Sequence, residues 1–182
     1  YYDNRLAENR AGMDTQTEEK YRLIADLVAD EYNPDHIERF RSLQEKYPHD
    51  SVLHSACQVW IATIYQMNGK TTEALNLYER LLDEHEQLGG YFASVLLSTL
   101  KLLVSEGQRI EAQAMFARYL HSDELHNFAK LALISWYVEN YETSEEELQT
   151  FRPLIDHIAL EMGVTINGMH LRNEIVNLKE ID

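Results

Sequence analysis

Residues 61–81 read IATIYQMNGKTTEALNLYERL, and residues 99–119 read TLKLLVSEGQRIEAQAMFARY. Laid over one another at an offset of 38, Gly69 falls on Gly107, Ala74 on Ala112, Tyr78 on Phe116 and Leu81 on Tyr119. Small residues meet small ones and large meet large. A fixed period of about 20–50 residues marks a stacked-repeat protein, in which each unit buries its apolar face only against its neighbours. The period extends in both directions. One column reads Leu27, Tyr65, Leu103, Tyr141 and another Phe40, Tyr78, Phe116, Leu154, both apolar throughout. The glycine column reads Glu31, Gly69, Gly107, Glu145 and fails at both ends. Terminal repeats are often atypical, because one of their faces meets solvent.

Helical periodicity within this frame predicts eight helices in four pairs. The first runs from a cap at Thr17 to about Glu31, with Leu23, Ile24, Leu27 and Val28 as its stripe. Asn33-Pro34 opens the second, cap then first-turn proline, which carries Ile37, Phe40 and Leu43 to about Tyr47. Asp50 or Ser51 caps the third, which reaches Asn68-Gly69, and the fourth spans about Thr71 to Gln87. The fifth runs from Tyr91 to Glu106, the sixth from Arg109 to His121, and the seventh from a cap at Ser122 to about Tyr141. Ser144 and Glu147 form a capping box for the eighth, where Pro153 predicts a kink or break before Gly163. The expected organisation is a polar, partly disordered segment 1–16, repeats at 17–48, 51–88, 91–121 and 123–163, and a C-terminal capping helix over 164–182. Leu171, Ile175 and Leu178 give that last helix its apolar spacing.

Charge narrows the function. With 16 basic and 31 acidic residues the chain carries −15, a field that repels phosphate backbones and anionic headgroups. Nucleic acid is therefore disfavoured as a partner. No apolar run of 18 residues exists, so this segment is not expected to insert in a membrane. The single cysteine, Cys57, lies in an apolar helical stretch and reads as a buried, inert thiol. A cytoplasmic location is favoured, although a start at Tyr1-Tyr2 rather than Met leaves room for a removed signal or anchor.

The central motif resembles the tetratricopeptide repeat. Helix A of that family carries a large residue, a small one and a tyrosine before a turn glycine, and helix B carries alanine and then an aromatic. Ile61, Ala62, Tyr65, Gly69, Ala74 and Tyr78 occupy those places, with Leu81 where the family usually has alanine. Leu100, Leu103, Gly107, Ala112 and Phe116 repeat the pattern, Leu100 departing from the small-residue rule. The family's period is shorter by about four residues, roughly one helical turn. The resemblance implies an all-α fold: a right-handed α-α superhelix, or solenoid, of about four helix-turn-helix repeats plus a C-terminal helix. It also implies a concave groove, lined by the A helices, that binds a protein or peptide. The family's groove positions fall on Tyr21, Ala25 and Val28; on Val59, Thr63, Gln66 and Met67; on Leu97, Lys101 and Val104; and on Ser135, Glu139 and Glu142. Packing on the chain's own termini, or a homodimer, is the competing use of the same apolar residues. The carboxylate clamp of some family members is not expected, since its places hold Tyr21, Ala25, Ser94 and Ser98. Trp60 and Trp136 lie beside the groove positions and read as core before binding anchors.

No catalytic constellation emerges. His121-Ser122-Asp123-Glu124-Leu125-His126 is the densest run of metal-ligand types, but it straddles a helix boundary and matches no zinc-enzyme spacing. His54 and Cys57, three apart, would make half a metal site with no second half. No catalytic residue, cofactor or metal is expected. The reading is a non-catalytic adaptor, assembly factor or chaperone-like module. A peptide-sensing regulatory domain and an acidic inhibitor that covers a basic enzyme stand as alternatives.

Overall fold

The computed structural model of the chain describes residues 15–84, 88–123 and 125–161. Among the described residues the fold is all-α, with no strand. Its helices are α1 (Thr15–Ala29), α2 (His36–Lys46), α3 (Ser51–Met67), α4 (Thr71–Asp83), α5 (Phe92–Ser105), α6 (Arg109–Leu120), α7 (Asn127–Asn140) and α8 (Glu145–Glu161), with a 3-10 turn at Gly89–Tyr91. None of these is long and apolar enough to cross a membrane. The expected capping helix over 164–182 lies outside the described residues.

Local chemistry sets most of the ends. Asp50 caps α3 by accepting from Leu53 N–H at 2.8 Å, and Ser144 Oγ accepts from Glu147 N–H at 3.1 Å to start α8. Four expectations need correcting. Helix α2 begins at His36, with Asp35 at its N-cap position and no side-chain cap bond; Asn33 Oδ1 accepts from the Asp35 amide at 3.0 Å in the turn before it, so Asn33 is not the cap and Pro34 is not the first helical residue. Helix α1 already contains Thr15 and Gln16, so Thr17 is not its cap. Helix α7 begins at Asn127 rather than behind Ser122, and its cap is His126, whose Nδ1 accepts from Ala129 N–H at 3.3 Å. Pro153 does not break α8, which is continuous to Glu161. Pro153 is exposed, and so is Gln149 four residues back, so the carbonyl that loses its amide partner can be solvated by water.

The 38-residue period reappears in the backbone. At the end of α3, Lys70 N–H donates to the Tyr65 carbonyl at 2.9 Å and Gly69 N–H to Gln66 at 3.1 Å. At the end of α5, Gln108 N–H donates to Leu103 at 2.8 Å and Gly107 N–H to Val104 at 3.1 Å. These are Schellman closures, with the glycine in the left-handed region at φ +71° and +78°. The end of α1 closes identically: Tyr32 N–H donates to Leu27 at 3.0 Å and Glu31 N–H to Val28 at 3.3 Å. There the left-handed residue is Glu31 (φ +48°), followed by Tyr32 at +61°. The first repeat thus keeps the turn that its sequence lacks. The fourth does not, since Tyr141 is extended at φ −126°, ψ 146°.

The chain divides into two compact units, residues 1–102 and 103–182. In the first, α3 is central and packs on α1, α2 and α4. Its side chains Ala56, Cys57, Ile61, Ala62 and Ile64 are buried, as are Phe40 on α2 and Ala74, Tyr78 and Leu81 on α4. The repeat column that holds Ala74 and Ala112 holds buried His36 in α2, bonded to Asp30 (3.1 Å) and Arg39 (3.1 Å). Arg39 also donates to Asp26, and Lys46 to Glu19, tying α1 to α2. Those hydrogen bonds hold the Asp26 and Glu19 carboxyls below their ordinary values. Both pairs are exposed, so their stabilisation is present above the unfolded carboxyl pKa, fades as pH falls through the folded value, and is screened by salt.

In the second unit α7 packs on α6 and α8 around an aromatic cluster. Phe116 stacks on Tyr137 (centroids 4.3 Å), Tyr137 stacks on Tyr141 (4.7 Å), and Phe151 meets Phe116 and Tyr137 edge-on, both at 5.9 Å. Arg109 covers Tyr141 at 4.6 Å and accepts the Tyr141 hydroxyl on its carbonyl at 2.8 Å, so the two ends of the α6–α7 pair are tied together.

Nothing lies within 4 Å of a Cβ placed on Gly69, so only its φ resists a side chain. Forcing an L-residue there costs about 1–2 kcal/mol, partly offset by a stiffer unfolded chain. Gly69→Ala should therefore destabilise the protein by about 1 kcal/mol, while Glu31→Gly should stabilise it by roughly half that. Urea midpoints at constant slope would check both. Equal and opposite signs from those expected would mean that the turns do not carry the strain.

Candidate functional site

The residues that the resemblance assigns to a groove divide by burial. In the first unit Tyr21 (44% exposed), Ala25 and Val28 (51%) lie along the open side of α1. On α3, Met67 is 59% exposed and Thr63 and Gln66 are half-buried, whereas Val59 is core at 6%. On α5, Leu97 is half-buried and Lys101 exposed. Asn68 Nδ2 donates to the Tyr32 carbonyl at 2.9 Å, so the end of α1 is tied to the end of α3. In the second unit Val104 is half-buried and Glu139 and Glu142 are exposed. Ser135 is fully buried. Val59 and Ser135 therefore present no side chain to a ligand. Carrying family positions over fixes a residue's place on a helix, but not how closely the next helix covers it.

What ties α4 to α3 is a hydroxyl that the sequence alone does not single out. Tyr78 is 2% exposed, and its OH donates to Gln66 Oε1 at 3.0 Å and lies 3.2 Å from Thr63 Oγ1, with Ser98 of α5 nearby. Burial pushes this phenol above its ordinary pKa, against the opposing pull of Thr63 and Ser98. Thr63 Oγ1 also donates to the Val59 carbonyl at 2.9 Å. The available signal was in the repeat columns: Tyr78 has a hydroxyl where the equivalent Phe116 has none, and a buried hydroxyl needs partners.

Trp136 is core at 3% exposure, against Phe116 (6.3 Å) and Tyr141 (5.8 Å). Trp60 is half-buried. The two tryptophans are two repeats apart, and among the described residues neither indole N–H has a hydrogen-bond partner.

The histidines do structural work. His54 Nε2 bonds the carbonyls of Gln44 (2.9 Å) and Tyr47 (3.1 Å), satisfying the open end of α2. His126 spends its Nδ1 on capping α7. Among the described residues no group of three or more His, Cys, Asp or Glu is arranged to hold a metal ion.

Burial pushes the Cys57 thiol up to about 12, with the side chain fully buried. The thiolate is the nucleophile, so almost none of the reactive form exists at neutral pH. Cys57 should resist a disulfide reagent at pH 8 in the native protein and react within seconds in denaturant. Stoichiometric labelling of the folded chain at a free-thiol rate would contradict this burial.

Comparison with protein-family models, with curated proteins and with solved structures finds no match.

Proposed function

We propose that the chain is a non-catalytic protein-interaction module, an adaptor or assembly factor. Its helix pairs resemble tetratricopeptide repeats wound as a right-handed α-α solenoid, and it holds a peptide or partner segment against the inner, A-type helices. The observation that carries this reading is the exposure of large apolar side chains on two packed helices of the first unit. Tyr21 and Val28 on α1 and Met67 on α3 are three of the six large apolar side chains exposed among the described residues. A lone exposed apolar residue needs no explanation; several on helices packed together support a docking face. The recurring closures after Leu27, Tyr65 and Leu103 support the tandem-pair reading. Amphipathic segments dock on faces of this kind through apolar anchors.

Burying a Val or Met side chain contributes about 1.5–3 kcal/mol, so a charge at either position should be costly to binding and harmless to folding. Random dodecapeptides displayed on phage and panned on the full chain supply the ligands. Peptides so selected should lose at least about tenfold in affinity for Val28→Glu/Met67→Glu, with helical circular dichroism unchanged. Failure to select any peptide, or selected peptides indifferent to the double variant, would overturn the reading.

A further inference from the structure

Helices α3 and α5, on either side of Tyr78, are almost empty of charge. Helix α3, SVLHSACQVWIATIYQM, contains no Asp, Glu, Lys or Arg, and α5, FASVLLSTLKLLVS, contains Lys101 alone. In the chain as a whole 26% of residues carry such a charge and carboxylates outnumber cations 31 to 16. Burial explains part of this depletion, since charged residues avoid the core. It does not explain the open positions. Ser94 and Met67 are exposed, Thr63, Gln66, Leu97 and Ser98 are half-buried, and none is acidic. The one formal charge on either helix is an exposed cation, and Lys101 has no ion-pair partner among the described residues.

Tyr78 donates to Gln66 Oε1, and Gln66 Nε2 has no acceptor among the described residues. Ser98 is near enough to the same phenol oxygen to favour its ionised form, which places that turn of α5 by Gln66. Lys101 follows Ser98 by three residues and therefore lies on the same face of α5. An amide NH₂ and an ammonium group are thus offered by neighbouring turns of α3 and α5, neither of which carries a carboxylate.

We propose that this face recognises an acidic side chain, Asp or Glu, within an otherwise apolar segment of another protein. The apolar residues of the segment lie against Tyr21, Val28 and Met67, and its carboxylate meets Gln66 Nε2 and Lys101 Nζ. The proposal rests on the interaction-module reading above and names the ligand chemistry of that same site. The net charge of −15 does not forbid it, because at physiological ionic strength the Debye length is about 8 Å and contact groups dominate. Charge-assisted bonds to a half-buried amide and an exposed ammonium supply orientation as well as affinity.

The same dodecapeptide library tests it on the full chain. Wild-type panning should enrich one Asp or Glu flanked by apolar residues, and panning on Lys101→Glu should move that position to Lys or Arg. In a selected peptide, synthesised with an amidated C-terminus, Glu→Gln should weaken binding about fivefold or more, and Lys101→Met should erase that difference. Gln66→Leu should halve the preference without abolishing apolar binding. Enriched peptides that lack an acidic position yet depend on Val28 and Met67 leave the interaction module standing and overturn this inference. Binding that requires a free C-terminal carboxylate, and vanishes on amidation, overturns it as well. No enrichment at all defeats both readings.

Discussion

The carbonyls of Leu27, Tyr65 and Leu103 each accept the amide five residues ahead, and each forces the chain into a left-handed turn at the residue between. That bond satisfies a carbonyl that a helix end would leave open, and it reverses the chain within a few residues. Because it recurs every 38 residues, the columns of buried side chains recur with it. Ala74 and Ala112 are both fully buried, and Phe40, Tyr78 and Phe116 fill one equivalent place. Apolar burial supplies the driving force in each pair, but the turn fixes which residues face one another.

One repeat site is filled in two ways. Around Tyr78 stand Thr63, Gln66 and Ser98; one period later Phe116 takes the place of Tyr78, with Val104 and Trp136 in the columns of Gln66 and Ser98. The hydroxyl and its partners changed together, as they must, since an unpaired buried hydroxyl costs roughly 1–3 kcal/mol. Phe116 instead meets Trp136 and stacks on Tyr137. The same column of the 38-residue period accommodates either solution, so the polar version around Tyr78 reads as a feature of that face rather than of the period.

The all-α class, most helix spans among the described residues and the glycine turns were legible in the sequence because each rests on short-range chemistry. Asp50 and Ser144 cap where their types predict, whereas the bond of Asn33 lies in the turn before α2. What escaped depended on context. His126 caps α7 although Ser122 is the commoner cap residue, and Glu31 occupies a left-handed conformation that its type disfavours. Ile37, Phe40 and Leu43 behind it, and Leu23 and Leu27 before it, are buried, so tertiary packing outweighs a local preference of about 1–2 kcal/mol. The candidate site was legible as a set of helix positions. The burial of Val59 and Ser135 was not, because periodicity shows which way a residue points but not what lies across from it.

Where the negative charge sits bears on what the molecule can bind. Asp30, Glu31, Asp35, Asp50, Glu84, Glu106, Asp123 and Glu142 lie in turns, and Glu145, Glu146 and Glu147 open α8, where the helix dipole favours them. Further carboxylates lie along α1, α2, α4, α6 and α7, and charge spread in this way opposes association of copies through mutual repulsion. The same arrangement leaves α3 and α5 without a carboxylate, so the long-range field and the contact chemistry have opposite signs near Lys101. An acidic chain can accordingly expose apolar side chains such as Val28 and Met67 without their becoming a general site of association.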